Sequence, residues 1–247
     1  MIYYFSGTGN SRYVAECLAS MLKDEAEEIK PGMRGRAQAP QVIGIVFPVY
    51  AWGLPNIAQR FICENKDTFT RARYTYCVMT CGDDMGYADH ILRKCMGGRL
   101  DAAFSVPMPN TYVCLPGFDV DSDEAAQAKV SQTTAMLPGI ADSIYRQESV
   151  TQVTRGSMPW VKSYVLRPLF NRFLVTDKYF RTTKACTLCK KCVRDCPTSN
   201  IHVEDGCIQW ERHLCSGCLR CYHSCPQRAI EFGAFTKGKG QKQPLTK

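Results

Sequence analysis

Short apolar runs alternate with helical patterns over the first 149 residues. Four β-rich runs predict buried strands over residues 1–5, 42–47, 74–80 and 101–106. Apolar residues at helical spacing predict helices over residues 11–23 and 123–146. A weaker run at residues 26–29 adds a further strand. Because parallel strands need helical crossovers, the alternation predicts an α/β fold whose parallel sheet is covered on both faces.

One uncharged stretch, residues 40–59, has the length of a membrane span. Pro48 and Pro55 interrupt it, and its apolar core, residues 42–47, is short and β-rich. The pattern favours a buried parallel strand that ends in a loop. We therefore expect no membrane span.

The charged residues are distributed unevenly between the first 149 residues and the rest of the chain. The chain has 247 residues, 45% hydrophobic and 22% charged, which excludes collagen-like, coiled-coil and disordered classes. Its net charge is +8, yet residues 1–149 hold 14 basic and 17 acidic residues. The positive charge lies in residues 150–182 and 233–247, without a motif for nucleic-acid binding. The last segment is expected to fray, or else to dock.

Residues 150–182 are aromatic and basic, and two interpretations are open. Packing between two domains is favoured, and the alternative is a basic helix that lies on a membrane surface. Lys162, Arg167 and Arg172 would spread around such a helix instead of forming one stripe. Pro168 is also expected to interrupt it.

Cysteine is unusually abundant, with 15 residues. The chain starts without a basic segment typical of a targeting signal, so we expect a reducing cytoplasm and cysteines that bind metal. A pattern of four cysteines and a proline occurs twice in the sequence, the second time 29 residues after the first. This shift superimposes Cys186, Cys189, Cys192, Cys196 and Pro197 on Cys215, Cys218, Cys221, Cys225 and Pro226.

Each repeat reads C-x2-C-x2-C-x3-C-P, a spacing with which three thiolates can wrap one iron–sulfur cluster. Zinc prefers paired C-x2-C units, and two such tight quartets fit it poorly. Residues 183–232 resemble the bacterial two-cluster ferredoxins. The resemblance implies two [4Fe–4S] clusters with crossed fourth ligands. Cluster 1 would be held by Cys186, Cys189, Cys192 and Cys225, and cluster 2 by Cys215, Cys218, Cys221 and Cys196.

A loop of glycines and hydroxyl residues, Ser6-Gly7-Thr8-Gly9-Asn10-Ser11, follows the first strand and precedes a helix. Its backbone N–H groups and the helix N-terminus suit a phosphate group. It is not a Walker A loop, and Arg12 replaces the third glycine of a Rossmann fingerprint. The alternative is a glycine turn with a Ser/Asn cap.

This strand–loop–helix is similar to the FMN phosphate loop of flavodoxins. The resemblance implies that FMN phosphate binds at Ser6, Thr8, Gly9, Asn10 and Ser11. Loops after the next two strands match those that flank the flavin ring in that family, and all three loops lie at strand carboxyl ends. These loops supply Pro48, Val49, Tyr50, Ala51, Trp52, Gly53, Thr80, Cys81, Gly82, Gly86 and Tyr87.

Three side-chain questions remain open at these loops. Tyr50 or Trp52 would stack on the flavin ring, or would be core aromatics. Asp83 and Asp84 would disfavour an anionic reduced flavin if close to it, and would do little if solvated. Most cysteines outside the quartets are expected to be inert; Cys81 is the one beside the cofactor loops. The four histidines, His90, His202, His213 and His223, are expected to be solvated or capping, so no catalytic residue is predicted.

The whole chain resembles the fused flavodoxin–ferredoxin proteins of anaerobic bacteria, the EFR1-type ferredoxins. The resemblance implies a flavodoxin-like domain over residues 1–149, a connector over 150–182, a small α+β two-cluster ferredoxin domain over 183–232 and a basic tail. The implied function is electron transfer between the clusters and FMN, with ferredoxin-dependent oxidoreductases as partners. The alternatives are a flavin reductase that acts on a quinone, nitroaromatic or flavin, and a redox sensor.

Overall fold

A computed structural model describes residues 1–36, 40–211, 214–243 and 245. His213, one of the four histidines expected to be solvated or capping, lies outside the described residues. In the part of the chain that is described, no helix has both the length and the apolar character that crossing a membrane requires.

The first half of the chain forms a six-stranded parallel sheet in the order β2-β1-β3-β4-β5-β6. Its strands are β1 (Ile2–Tyr4), β2 (Ala26–Glu28), β3 (Val42–Pro48), β4 (Tyr74–Cys81), β5 (Ala102–Pro107) and β6 (Thr151–Gln152). The first five strands follow the flavodoxin-like order. The predicted strands are confirmed, and the uncharged stretch contains β3.

Helices cover both faces of this sheet. They are α1 (Asn10–Leu22), α2 (Asn56–Glu64), α3 (Lys66–Arg71), α4 (Ala88–Cys95) and α5 (Asp123–Tyr145). Leu18 of α1 and Leu137 of α5 belong to the apolar cluster on one face, whereas Phe61 of α2 and Leu92 of α4 belong to the cluster on the other. Every residue of β4 is buried, as expected of a central strand in a doubly wound fold.

The sheet extends beyond residue 149, where the sequence suggested a domain limit. β6 pairs with β5 through Thr151 and Gln152, and both of its residues are exposed. A two-residue polar edge strand carries no apolar period, so nothing in the hydropathy pattern marks it.

A single helical segment, residues 159–173, then crosses the surface; we call it the connector helix. It comprises α6 (Pro159–Val161), a π-helical stretch (Lys162–Leu166) and α7 (Arg167–Phe173). The expectation that Pro168 interrupts the helix is wrong. The helix changes from π to α geometry at Arg167, so Pro168 lies in the first turn of α7, where a residue without an N–H is tolerated.

The cysteine-rich unit, residues 180–232, is built from two small antiparallel sheets and two short helices. β7 (Phe180–Thr182) pairs with β10 (Ile230–Phe232), and β8 (Ile201–Glu204) pairs with β9 (Cys207–Trp210). The helices are α8 (Lys191–Asp195) and α9 (Arg220–Ser224). This is a ferredoxin-like α+β arrangement, and it begins three residues before the predicted limit at residue 183.

The 29-residue repeat is reproduced by the backbone. Helix α8 corresponds to α9 after the shift, and so do three positions with left-handed φ angles. The matched pairs are Leu188 (φ 53°) with Gly217 (68°), Lys190 (59°) with Leu219 (56°), and Ser199 (54°) with Arg228 (48°). Left-handed conformations are costly for residues with side chains and cluster at functional sites. Here they curl the chain around each group of cysteines.

The basic tail docks, and the expectation that it frays is wrong for its described residues. The Lys239 ammonium donates to the carbonyl oxygens of Val113 and Leu115 at 2.7 and 2.6 Å. The Gly240 N–H donates to Asp119 at 3.0 Å. The tail thereby holds the cysteine-rich unit against the loop between β5 and α5.

Gly44 of β3 tests the packing of the sheet. A Cβ there would lie 2.6 Å from Tyr76 Cε2 and closer still to its Cζ. We expect Gly44→Ala to lower the free energy of unfolding by about 1–3 kcal/mol, because the buried Tyr76 ring must move. Gly139→Ala is the control, since Gly139 lies in α5 with open space around it; it should raise stability by about 0.5–1 kcal/mol. The free energies of unfolding are measured by urea denaturation. Equal changes in the two variants would contradict the close packing of Tyr76 on Gly44.

Candidate cofactor site

A cavity of about 450 Å³ opens at the carboxyl ends of β1, β3 and β4. Drug-sized ligands and cofactors occupy cavities of about 300–1,000 Å³. The loops predicted from the sequence supply much of its wall. The predicted residues that line it are Ser6, Thr8, Asn10, Ser11, Pro48, Val49, Tyr50, Ala51, Trp52, Thr80, Cys81 and Gly82.

The Ser6–Ser11 loop is held in a defined shape. Gly9 has a φ of 100° and caps the start of α1, and its N–H donates to Ser6 Oγ at 3.1 Å. Ser11 Oγ bonds Thr80 Oγ1 at 2.8 Å, and Asn10 donates to the Pro109 carbonyl at 2.9 Å. The first N–H groups of a helix have no partner within it, so α1 offers donors and a partial positive charge to the cavity.

Four of the predicted cofactor residues do not line the cavity: Gly9, Gly53, Gly86 and Tyr87. Gly9 acts as the helix cap. The other three face the connector helix. A Cβ on Gly53 would collide with the Arg167 side chain, and one on Gly86 would lie 2.5 Å from Ser163 Oγ.

The connector helix is fastened to the two flanking loops by its inner side. Ser163 Oγ accepts from the Tyr87 N–H at 2.8 Å and donates to the Trp52 carbonyl at 3.0 Å. The buried Arg167 donates to the Leu54 carbonyl at 2.7 Å. This contact agrees with the interpretation that the connector packs against its neighbours.

The two candidate stacking residues differ in their surroundings. Tyr50 packs edge-on to Phe5, with ring centroids 6.5 Å apart. Burial, then the charge of Cys218, raises the pKa of Tyr50 well above its ordinary value. Trp52 lies on the opposite part of the loop, 5.6 Å from the Lys162 ammonium. Ala51 and Trp52 both have left-handed φ angles, 44° and 57°, so a tight, strained turn presents them.

The acidic pair beside the cavity is partly neutralised. Asp83 and Asp84 both line the cavity, and Asp83 is exposed. Asp84 forms an ion pair with Lys162 at 2.7 Å, with both side chains largely buried. The connector helix therefore removes much of the negative field that the sequence alone would assign to this loop.

Cys81 lines the cavity as an unreactive thiol. Burial, then the charges of Asp84 and Asp83, raises the pKa of Cys81 to about 12. A thiol with this pKa stays protonated near neutral pH, and the thiolate is the nucleophilic form. The side chain acts as a small apolar wall residue.

The cavity wall also includes three segments outside the predicted cofactor loops. The segment after β5 contributes Asn110 and Thr111, and Asn110 packs so close to Gly82 that no Cβ fits there. The connector contributes Phe170 and Val175, and the cysteine-rich unit contributes a further set. That set is Phe180, Ser216, Gly217, Cys218, Leu219 and Phe232. The connector and the cysteine-rich unit are distant from the predicted loops in sequence, so no local motif predicts that they line the same cavity.

The eight quartet cysteines fall into two crossed groups. A small second cavity is lined by Cys186, Cys189, Cys192 and Cys225. Burial, then the neighbouring charges of Cys225, Cys186 and Cys189, raises the pKa of Cys192 to about 11. Three cysteines of the first repeat therefore surround one space with the last cysteine of the second.

The complementary group forms in the same way. Burial, then the charges of Cys218, Cys215, Cys196 and Cys192, raises the pKa of Cys221 well above its ordinary value. Cys196, the last cysteine of the first repeat, is also a neighbour of Cys215 and Cys218. The two turn cysteines have equivalent partners: Asn200 N–H donates to Cys196 Sγ and Ala229 N–H to Cys225 Sγ, both at 3.3 Å.

In the described ranges, no three His, Cys, Asp or Glu side chains converge tightly enough to hold a single metal ion. The donor set, thiols with backbone N–H groups directed at sulfur, is the kind that holds iron–sulfur clusters.

The segment that carries Cys218 and Cys221 contacts the phosphate-type loop. A Cβ on Gly7 would collide with the Tyr50 hydroxyl and lie 2.5 Å from the Cys218 carbonyl oxygen. Arg220, between Cys218 and Cys221, donates to the Gly7 carbonyl at 3.3 Å and also to the Ser6 carbonyl. The same guanidinium pairs with Glu28 of β2. The loop and the cysteine-rich unit are therefore in direct contact.

Known proteins resemble separate parts of this chain. No family model matches it. One component of an ion-translocating oxidoreductase complex from Methanosarcina acetivorans is 39% identical over 47 residues, which are 19% of this chain and 18% of that protein. The chain thus aligns with less than a fifth of the length of this curated relative.

Similar solved structures match a little over half of the chain. One is a putative flavoprotein from Bacteroides eggerthii, with 16% identity, coverage of 54% of this chain and 96% of that one, and a TM-score of 0.36. A Streptococcus pneumonia TIGR4 flavodoxin has 14% identity, coverage of 56% and 97%, and a TM-score of 0.32. The flavodoxin-like assignment of the fold follows from the strand order described above.

A substitution at Arg220 tests the contact between the cysteine-rich unit and the phosphate-type loop. Arg220→Ala removes donors to Ser6 and Gly7 and leaves Glu28 unpaired, so we expect stability to fall by about 1–3 kcal/mol. Arg12→Ala is the matched control, because Arg12 forms an exposed pair with Glu16 worth about 0.5 kcal/mol or less. The measurement is the thermal unfolding midpoint of the intact protein under anaerobic conditions. A shift no larger than that of the control would show that the contact contributes little.

Proposed function

We propose that this chain is an electron-transfer protein that links two [4Fe–4S] clusters to a bound FMN. The observation that carries the proposal is the position of Cys218. It belongs to the second thiol group and also lines the cavity formed by the phosphate-type loop. When bound, the clusters would pass single electrons and the flavin one or two.

The cavity residues fit a flavin phosphate. Ser6, Thr8 and Ser11 supply hydroxyl groups, and the α1 N-terminus supplies backbone donors. A loop without lysine suits a phosphate monoester such as that of FMN. The apolar walls around Trp52 and Met108 suit a flat aromatic ring.

The two thiol groups suit two clusters in a defined order. Cys218 and Cys221 are buried, and Cys218 lies beside the cavity, so the group that contains them is the inner one. Cys189 of the other group is exposed. We infer that the group of Cys186, Cys189, Cys192 and Cys225 exchanges electrons with partner proteins, and that the inner group exchanges them with the flavin.

The chain also sets the charge around the flavin position. The Asp84–Lys162 ion pair limits the negative field at one wall. Arg220, beside Cys218, places a positive charge between the inner thiols and the phosphate-type loop. Ferredoxin-dependent oxidoreductases are the expected partners. Steady turnover of a quinone, nitroaromatic or free flavin would favour the alternative, a flavin reductase.

The flavin site is tested by Gly9→Asp. Gly9 caps α1 between Thr8 and Asn10, which both line the cavity. A carboxylate there would lie near a bound phosphate, and two like charges a few ångströms apart repel by about 4 kcal/mol at an effective dielectric constant of 20. We expect the FMN affinity to fall at least about a hundredfold. Gly98→Asp is the control, because Gly98 has a φ of 99°, close to that of Gly9, but has open space around it. FMN titration followed by fluorescence gives both affinities; equal losses would refute the site.

The cluster assignment is tested by removing one cysteine from each crossed group. Anaerobic protein should carry about eight iron atoms per chain, as two four-iron clusters. Cys196→Ala should damage the cluster of Cys215, Cys218 and Cys221, and Cys225→Ala the other one. The exposed Cys207, outside both groups, gives the control Cys207→Ala. Electron paramagnetic resonance of the reduced variants distinguishes the clusters; loss of the same cluster in both variants would disprove the crossing.

The same variants test the order of electron flow. If the outer group receives electrons, Cys225→Ala should slow flavin reduction by a reduced ferredoxin while the inner cluster and the flavin remain present. Reduction by dithionite, which needs no docking site, should change far less. Rapid-mixing absorbance at the flavin band measures both rates. Unchanged reduction by the ferredoxin would show that electrons enter elsewhere.

A further inference from the structure

The connector helix, residues 159–173, turns an apolar face to solvent. Trp160 is 60% exposed, Leu169 51% and Phe173 65%. The other large apolar side chains exposed along it are Met158, Val161, Tyr164, Val165 and Leu166. A surface helix ordinarily places polar residues on its solvent side. A contiguous apolar patch of this kind marks an interaction site.

Packing within the chain does not account for this face. The helix is fastened by Ser163 and Arg167 and by the Lys162–Asp84 ion pair. Phe170 faces the cofactor cavity. These residues form the inner side. The ring of Tyr164 reaches the edge of that side, 6.1 Å from the ring of Tyr87, whereas Trp160, Leu169 and Phe173 are more than half exposed. The fold therefore does not need the apolar character of the outer face.

The exposed charges within residues 150–182 have one sign. Residues 150–182 contain a single acidic residue, Asp177, which is buried and accepts from Asn200 at 3.0 Å. Arg172 and Lys178 are exposed, and each lies within 6 Å of a neighbouring ring. The patch is apolar with a basic border and without an exposed carboxylate from its own segment.

We propose that this outer face docks on the surface of an anionic lipid bilayer. Aromatic and aliphatic side chains with basic neighbours are the composition of helices that lie in the lipid interface. Trp160 and Tyr164, whose rings are 6.0 Å apart, suit the boundary between headgroups and acyl chains. At about 1.5 Å per residue, fifteen residues span about 22 Å, less than the roughly 30 Å of hydrocarbon. The helix therefore lies on the membrane instead of crossing it.

A second copy of the chain suits this face less well. Each copy carries a net charge of +8, and two identical faces with basic borders would repel each other. A protein partner suits it less well too. A typical protein interface carries about ten hydrogen bonds, and among the exposed apolar side chains of this face only Trp160 and Tyr164 carry an N–H or O–H group.

The experiment is cosedimentation of the intact protein, prepared anaerobically, with lipid vesicles. We expect binding to phosphatidylglycerol vesicles, weaker binding to phosphatidylcholine vesicles, and a decrease with added salt. The double variant Leu169→Ser/Phe173→Ser should bind more than tenfold less, since it removes two exposed apolar side chains. Tyr145→Ser is the control, because Tyr145 is an 81% exposed aromatic at the end of α5, away from the connector; it should bind like the native chain.

Two further measurements separate lipid docking from misfolding and from self-association. Arg172→Glu/Lys178→Glu should weaken binding to phosphatidylglycerol only, and iron and flavin contents should stay native in all variants. Brominated lipids should quench Trp160 emission, a loss absent from Trp160→Phe. No vesicle binding, or equal binding by the Leu169→Ser/Phe173→Ser variant, overturns the proposal. A concentration-dependent dimer that this variant abolishes would overturn it in favour of a second copy.

Discussion

The absence of a side chain at Gly7 is the constraint on which the arrangement of the two units depends. Any Cβ at this position would collide with the Tyr50 hydroxyl and the Cys218 carbonyl. Gly7 also belongs to the phosphate-type loop, so this glycine allows the loop to approach both Tyr50 and Cys218. Arg220 then secures the approach by binding the carbonyl oxygens of Ser6 and Gly7. The distance between the phosphate-type loop and the cysteine-rich unit is thus set by contacts to the backbone of Ser6 and Gly7.

The loops beside the cavity have two roles because the connector helix lies behind them. Trp52 lines the cavity with its side chain while its carbonyl accepts from Ser163. Asp84 lines the same cavity and is held by Lys162. Movement of the connector helix would therefore change both the shape and the charge of the cavity walls.

Much of the first half could be predicted from the sequence, because buried parallel strands are short apolar runs bounded by turns. β3 and β4 are examples, and the loops that follow them reach the cavity. Gly53 and Gly86 misled the prediction, since a glycine in a loop signals close approach without saying what approaches. Here the neighbour is the connector helix.

The remaining features depend on contacts between distant residues. The two-residue β6 has no apolar period, and the tail docks through Lys239, whose partners are carbonyl groups that no side-chain pattern encodes. Val113 and Cys114, from the first half, complete the apolar cluster of the cysteine-rich unit. Sequence patterns report periodicity within one element, and these contacts arise only when separate elements meet.

The docked tail affects how the cysteine-rich unit competes with free proteins for contact with the cavity. The cysteine-rich unit is joined to the sheet through the connector helix before it and through the Lys239 contacts after it. A unit tethered in this way meets its own partner at an effective concentration that short links bring to about the millimolar range. A free ferredoxin at micromolar concentration would rarely displace it. For the proposed function, the two-sided attachment therefore favours exchange within the chain over exchange with a free protein at the cavity, and leaves the exposed Cys189 on the side open to other proteins.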